Sequence, residues 1–286
     1  MDILKNYLYW TRDPKDVKAL ASASKKFNTI IPAIEEDASY WVVKLEVQYG
    51  LVVRQKIKAE GLKEFYNIIF ENDGVLQLVF TQCYRNNKAE CVSILLQDGR
   101  IDPSIDNNYA IRTASFKGYF AIVDMLLQDG RVDPTACDNA AFKWASEKGY
   151  LAIVERLLQD ERINPSVDDN EAIRLASGNG HLKIVERLLQ DERVDPSDYN
   201  NEAIRLAAGK GYLSIVDRLL QDERVDPSTE NNYAIQLAAY NNQLNIVERL
   251  LQDKRVDPSA NDNYAIKQAV LKGYLAIVDR LLRDDR

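Results

Sequence analysis

Histidine is nearly missing from this sequence: His181 stands alone among 286 residues. Zinc hydrolysis needs a cluster of His, Cys or carboxylate ligands, and a Ser-His-Asp triad needs an imidazole beside its nucleophile, so both lack parts. Cysteine is scarce as well. Cys83, Cys91 and Cys137 are an odd set with no second Cys/His cluster nearby, which favours structural thiols over a metal site or a disulfide framework. No glycine-rich phosphate loop is present. No apolar run reaches the roughly 18 residues of a membrane span, and "MDILKNYLYWTRD" has no basic segment leading into a long apolar core. The expectation is a cytoplasmic or nuclear protein that does not enter membranes. Positive charge is also in deficit: 37 Lys and Arg against 44 Asp and Glu leave a formal charge of -7. That is the wrong net field for most nucleic-acid binders and leaves a protein as the expected partner. These absences assign no catalytic residue, metal or cofactor.

What the chain has in quantity is itself. Prolines fall at 103, 134, 165, 196, 227 and 258, a constant step of 31 residues, each followed by Ser or Thr. Residues 72–102 fit the same register through "LLQDGR" but not through their first half, so they read as a degenerate unit ahead of six regular ones. Short units that cannot bury an apolar face alone make their core between neighbours, which predicts a solenoid. Within a unit, "NEAIRLAS" places Ala172, Ile173 and Ala176 at helical spacing, and "HLKIVERLLQD" carries a wider stripe of Leu182, Ile184, Val185, Leu188 and Leu189. Gly180 stands between the two helices, with Gly118, Gly149, Gly211, Gly273 and once Asn242 at its place. Asn tolerates the left-handed backbone best after glycine, so this position predicts a helix C-cap and a sharp turn. In the "DERVDPS" loop, proline holds the preceding residue extended, and an Asp or Asn ahead of the next helix is placed to cap it. The fold class is all-α: stacked helix-turn-helix units. His181, whose place is taken by Tyr119, Tyr150 and Tyr212 in other units, reads as a packing residue. The recurring Asp129, Asp160, Asp191, Asp222 and Asp253 with Arg131, Arg162, Arg193, Arg224 and Arg255 read as a structural ion ladder.

The pattern "DNNYAIRTASFKGYFAIVDMLLQDGRVDPT" and its copies resembles the ankyrin repeat, over about residues 72–286. The "AIRLA", "G-H-L" and "IVERLL" segments stand where that family has "TPLHLA", "G-H-L" and "VVKLLL". The units are two residues shorter than the usual 33, and Glu171, Ala172 and Arg174 occupy the places of the Thr, Pro and His of the family motif. The hydrogen bonds of that Thr and His must therefore be absent or rebuilt. The dialect, with "DPS..NN.AIR.A", is similar to ankyrin proteins of giant DNA viruses of amoebae, which implies action inside an infected host cell.

Units that solve one packing problem reveal by their differences which positions are free for a partner. Three first-helix series vary: Tyr109, Ala140, Glu171, Glu202, Tyr233, Tyr264; Thr113, Trp144, Leu175, Leu206, Leu237, Gln268; and Phe116, Glu147, Gly178, Gly209, Tyr240, Leu271. Their i, i+4, i+7 spacing puts them on one helical face. The loop tips vary as well, at Asp106, Cys137, Asp168, Tyr199, Glu230 and Asn261. The ankyrin resemblance implies that this face and these tips meet the partner. Tyr109, Phe116 and Trp144 are expected as one anchor cluster; Tyr199, Tyr233, Tyr240 and Tyr264 form a second around Glu171, Glu202 and Glu230. Aromatics among acids would suit a partner with apolar anchors and Lys or Arg. The alternative is that the middle series, Trp144 included, is buried between helices.

Residues 1–71 do not share the repeat and read as a small helical domain. "DPKDVKALASASKKFNTII" has Asp13 as N-cap and Pro14 in the first turn, with Val17, Leu20, Ala21 and Phe27 near helical spacing. "DILKNYLYW", this helix and "YWVVKLEVQYG" together resemble an F-box, the module that docks on the Skp1 adaptor of a cullin-based ubiquitin ligase. Pro14, Val17, Leu20, Ser24, Phe27 and Trp41 carry that resemblance, with Pro14, Val17, Leu20 and Phe27 as the implied adaptor contacts; the family's opening Leu-Pro is absent. A plain helical cap for the array is the other reading. The two halves together imply a non-catalytic adaptor that brings a target protein to a ubiquitin ligase, with a pure ankyrin scaffold as the alternative. At the C-terminal end, Val270, Leu271 and Ile277 are the residues expected to be left uncovered and open to self-association.

Overall fold

A computed structural model describes residues 73–284, and the boundary expected near residue 71 lies outside them, as do Pro14, Val17, Leu20 and Phe27. The chain divides into two compact units, Met1–Pro103 and Ser104–Arg286. In the first, α1 (Asp73–Arg85) and α2 (Ala89–Leu96) pack as a pair around Phe80, Tyr84, Val92 and Leu95, all buried. Gln77 grips both backbone groups of Asp102: its Oε1 accepts the N–H at 2.9 Å and its Nε2 donates to the C=O at 2.8 Å. One expectation fails here. Cys83 and Cys91 are bonded as a disulfide rather than standing as separate thiols, because the turn between α1 and α2 brings their Cα atoms to 6.0 Å; Cys137 is free and exposed.

The second unit contains six helix pairs: α3 (Ile105–Lys117) with α4 (Phe120–Gln128), α5 (Ala136–Lys148) with α6 (Leu151–Leu157), α7 (Val167–Gly178) with α8 (Leu182–Leu188), α9 (Asp198–Lys210) with α10 (Leu213–Leu219), α11 (Thr229–Tyr240) with α12 (Leu244–Leu250), and α13 (Ala260–Leu271) with α14 (Leu275–Leu282). The odd-numbered helices form one layer and the even-numbered ones a second. Helices of seven to nine residues, such as α4, α6 and α8, are too short to persist alone in water. They persist because Ile184, Val185 and Leu188, and the same trio in each neighbour, are fully buried, at roughly 1.5–3 kcal/mol per side chain. The first layer packs through buried alanines such as Ala172, Ala176, Ala203 and Ala207, which let its helices approach closely.

The turn glycines behave as their spacing predicts. Gly118, Gly149, Gly180, Gly211 and Gly273 have φ between 74 and 84°, and Asn242 takes φ 61° in the sixth place. A second constraint acts on most of them. A Cβ on Gly118 would lie 2.7 Å from the Tyr150 ring, and on Gly180 2.8 Å from the Tyr212 ring, because the next unit lays its aromatic side chain across the glycine. His181 fills that role against Gly149 and pairs its Nε2 with the Glu147 carbonyl at 2.8 Å, so the lone histidine is a stacking residue.

The start of each first helix is not what the sequence suggests. Three successive residues are left-handed at every tip: Asp106–Asn107–Asn108, Cys137–Asp138–Asn139, Asp168–Asp169–Asn170, Tyr199–Asn200–Asn201, Glu230–Asn231–Asn232 and Asn261–Asp262–Asn263, all with φ between 53 and 65°. Single L-residues enter this region at a cost of about 1–2 kcal/mol, least for Asn and Asp, which explains why the second position is always Asn or Asp and the third always Asn. Ser104, Thr135, Ser166, Ser197, Ser228 and Ser259 occupy the cap position without a side-chain capping bond, while the loop Asp or Asn ahead of them, Asp133, Asn164, Asp195, Asp226 and Asp257, accepts the N–H two residues on at 2.8–3.1 Å. The left-handed turn swings the third Asn away from its own helix and toward the next loop. Asn108, Asn170, Asn201 and Asn232 accept the N–H of Asp133, Asp195, Asp226 and Asp257 at 2.7–2.9 Å. Asn139 differs, reaching the Asn164 carbonyl through Nδ2 at 3.4 Å while its Oδ1 finds no donor. The hydrogen bonds of the missing Thr and His are thus rebuilt as an asparagine ladder between loops.

The Asp-Arg series is a second ladder. Asp191 takes Nε and a terminal nitrogen of Arg193 at 2.9 and 2.7 Å, and the same fork recurs at Asp129, Asp160, Asp222 and Asp253. The other terminal nitrogens of Arg162, Arg193, Arg224 and Arg255 donate to the carbonyls of Val132, Ile163, Val194 and Val225 in the preceding loop. The guanidinium bonds hold these carboxyls below the ordinary carboxylate range against the opposing effect of burial.

Candidate protein-binding surface

The varying first-helix positions lie on one side of the first layer, and the structure sorts them into three conditions. Ala140 and Thr113 are buried and serve packing. Tyr109, Trp144 and Tyr264 are half-buried. Phe116, Tyr233 and Tyr240 are 40–44% exposed, and Tyr199 at its loop tip is 58% exposed.

Tyr109, Phe116 and Trp144 are brought together. Phe116 meets Trp144 edge to face with centroids 5.8 Å apart, and the Arg112 guanidinium lies 5.4 Å from the Tyr109 ring and 5.8 Å from the Trp144 ring. Lys148 sits 4.9 Å above Phe116. The four C-terminal tyrosines are arranged otherwise. Among the described residues, Tyr199, Tyr233 and Tyr240 each face a cation, Arg174 at 4.6 Å, Arg205 at 5.7 Å and Lys272 at 3.7 Å, rather than one another. Each of these pairs straddles a joint between units, so the rings contribute to stacking and still present an exposed face.

The acids of the centre are engaged within the chain. Glu171 pairs with Lys143 at 2.8 Å, and Asp168 binds the same ammonium. Burial works to lower the Lys143 pKa, but the hydrogen bonds to Asp168 and Glu171 outweigh it and the net shift is upward. Glu202 pairs with Arg174, and Glu230 accepts from Asn200 at 2.7 Å. Sequence reasoning named Arg174 only as the replacement of the family's His and assigned no role to Arg112 or Arg205. They hold the left-handed turns: Arg112 donates to the Asp106 and Asn107 carbonyls at 2.8 and 2.9 Å, Arg174 to Asp168 and Asp169 at 2.9 and 3.0 Å, and Arg205 to Tyr199 at 3.0 Å. Their signal was a basic residue four positions after five of the six "NN" or "DN" tips, with Gln236 at the other.

At the C-terminal end Val270 and Leu271 are exposed, at 59% and 78%, but Ile277, on α14, is fully buried and is not part of that surface. Among the described residues, no group of three or more His, Cys, Asp or Glu could hold a metal ion, and no helix is long and apolar enough to cross a membrane.

An array of helix pairs joined by projecting loops, with variable side chains on one layer and its tips, defines a helical-repeat binding scaffold. The model of ankyrin repeats in three copies matches residues 113–203, 142–231 and 204–286, more than half of the chain, and the protein belongs to the ankyrin-repeat family. A comparison with curated proteins finds no match. Ankyrin repeats are protein-protein interaction modules, and that is the class of function this array has.

Proposed function

We propose that the chain is a non-catalytic adaptor in which the ankyrin face holds a target protein and residues 2–50 dock on a Skp1-type subunit of a ubiquitin ligase. The observation that carries the binding half is the exposure of Phe116, Tyr199, Tyr233 and Tyr240 on a layer of helices fixed by two hydrogen-bonded ladders. A pre-organised aromatic face loses little entropy when a partner settles on it. The ligase half is carried by the F-box-like pattern of Pro14, Val17, Leu20 and Phe27. The mechanism is proximity: a lysine-bearing target held near a transferring enzyme at high effective concentration needs no chemistry from this chain. In an infected cell, the recruited machinery is the host's, in the cytoplasm or nucleus.

The test is calorimetric titration of the purified full chain with Skp1, beside a Leu20→Asp, Phe27→Asp variant whose ankyrin array is shown to remain folded by circular dichroism. Binding at about micromolar or tighter, lost in the variant, is the expected result. No binding by the folded full chain would sink the adaptor reading. The missing Leu-Pro and the polar Lys5, Asn6 and Tyr7 at the start of the segment favour a second reading, a pure ankyrin scaffold that sequesters a host protein, and that is what a negative titration leaves.

A further inference from the structure

This face offers a partner unpaired positive charge that its acidic composition hides. Asp168 and Glu171 share the one ammonium of Lys143, Glu202 pairs with Arg174, and Glu230 keeps its charge against the neutral Asn200 amide, whereas three cations of the face have no acid beside them. Among the described residues, Arg112, Arg205 and Lys272 make no ion pair. Arg112 is held by two carbonyls and two rings, Arg205 by the Tyr199 carbonyl and the Tyr233 ring with its Nε lacking any acceptor, and Lys272 by the Tyr240 ring. Carbonyls and ring faces orient a cation without cancelling its charge. Three full positive charges therefore remain, each against an aromatic surface.

We infer that the face binds an extended, acidic segment of its partner, with carboxylates on Arg112, Arg205 and Lys272 and apolar side chains on the adjoining rings. This rests on the reading of the first-helix layer as the partner-binding face and adds the chemistry of the ligand. Stacked helices lie about 10 Å apart, so the three cations span roughly 50 Å across five joints. An extended strand rising about 3.3 Å per residue covers that with roughly 15 residues. The exposed carboxylates of Asp106, Asp138 and Asp262 stand on the loop tips beside this line of cations. These acids oppose the phosphate backbone of a nucleic acid, with one charge per nucleotide, more than a peptide that places a carboxylate only at each of the three cations.

The test is selection from a display library of random peptides of about 16 residues on the full-length protein, with the winning peptides synthesised and titrated. The comparison protein is the Arg112→Gln, Arg205→Gln, Lys272→Gln triple variant. Glutamine is a native solution at the arginine position: Gln236 holds the Asn231 carbonyl at 2.6 Å, so the turns keep a donor and the variant should remain folded, with a lower melting temperature from the lost ring contacts. The expected winners combine Asp or Glu with apolar residues and bind the triple variant at least about tenfold more weakly, with the parent's affinity falling as salt is raised. Lys- or Arg-rich winners, an absence of winners, or winners indifferent to the triple substitution would overturn the inference. So would displacement of the winner by a single-stranded oligouridine of about the same span, which would make the ligand a nucleic acid. Skp1 titration of the parent and the triple variant keeps the two proposals apart: Skp1 binding retained in the variant with peptide binding lost isolates the face, whereas a parent that binds no Skp1 but whose peptide binding is lost in the variant sinks the adaptor reading while sparing this one.

Discussion

Asparagine in the left-handed conformation performs two tasks at once in this chain, and its replacement should show both. Asn201 is buried, accepts the Asp226 N–H at 2.8 Å and donates to the Thr229 hydroxyl at 2.9 Å. Asn201→Ala leaves the N–H unanswered and forces alanine into φ 56°, for an expected loss of about 2–4 kcal/mol in urea unfolding. Asn139 has the same backbone but only a 3.4 Å contact, so Asn139→Ala should cost about 1–2 kcal/mol. Equal losses at the two sites would show that the ladder contributes nothing and that backbone conformation decides alone. The residue scale is also where the sequence is least legible. "NN" before a helix reads as a cap or a turn, and nothing local reveals three consecutive left-handed residues, because their partners lie 25 residues away. The acids mislead for the same reason. Glu171 and Glu202 look free in sequence, and the cations that occupy them, Lys143 and Arg174, each stand 28 residues earlier across a joint.

The helices were far easier to anticipate. Alanine on one helix and the Ile-Val-Leu stripe on the other announce both their pairing and their layers, and the glycine between them announces the turn, down to Asn242 substituting for it. What spacing could not separate is why glycine is required, since a left-handed backbone and the aromatic ring of the next unit exclude a side chain independently. Two substitutions separate them. Gly273→Ala meets nothing within 4 Å and should cost only the conformational share, about 1 kcal/mol. At Gly180→Ala the methyl also meets the Tyr212 ring, so the expected cost is about 2–4 kcal/mol, measured by chemical denaturation. Should Gly180→Ala with Tyr212→Ala fail to recover the excess, the ring is not the cause.

Across the whole molecule the Asp-Arg ladder sets the response to acid. Each ladder carboxyl, including Asp98 beside Arg100, is held below its ordinary value, so its contribution is fully present above the unfolded value near 3.8. It is lost as pH falls through the lower folded value. Thermal stability should therefore be nearly level from neutrality to about pH 5 and fall steeply below about pH 4. Asp191→Ala should lower stability at neutral pH by about 1–3 kcal/mol and flatten part of that fall; an acid limb unchanged in the variant would assign the sensitivity to other groups. Because the ladders repeat at every joint, the response is distributed along the array rather than lodged at one hinge.

The constancy of the joints also bears on how such a gene can change length. If residues 150–180 were excised, His181 would follow Gly149 in the place of Tyr150, and Tyr212, which now lies across Gly180, would come to lie across Gly149. Asn139 would then face the Asp195 N–H and the Asp198 carboxylate that Asn170 engages at 2.9 and 2.5 Å, acquiring the donor it now lacks. A recombination event that gains or loses a multiple of 31 codons thus leaves every seam matched wherever in the repeat it falls. It moves the aromatic positions apart or together by whole helix spacings, so the reach of the binding face is heritable in steps.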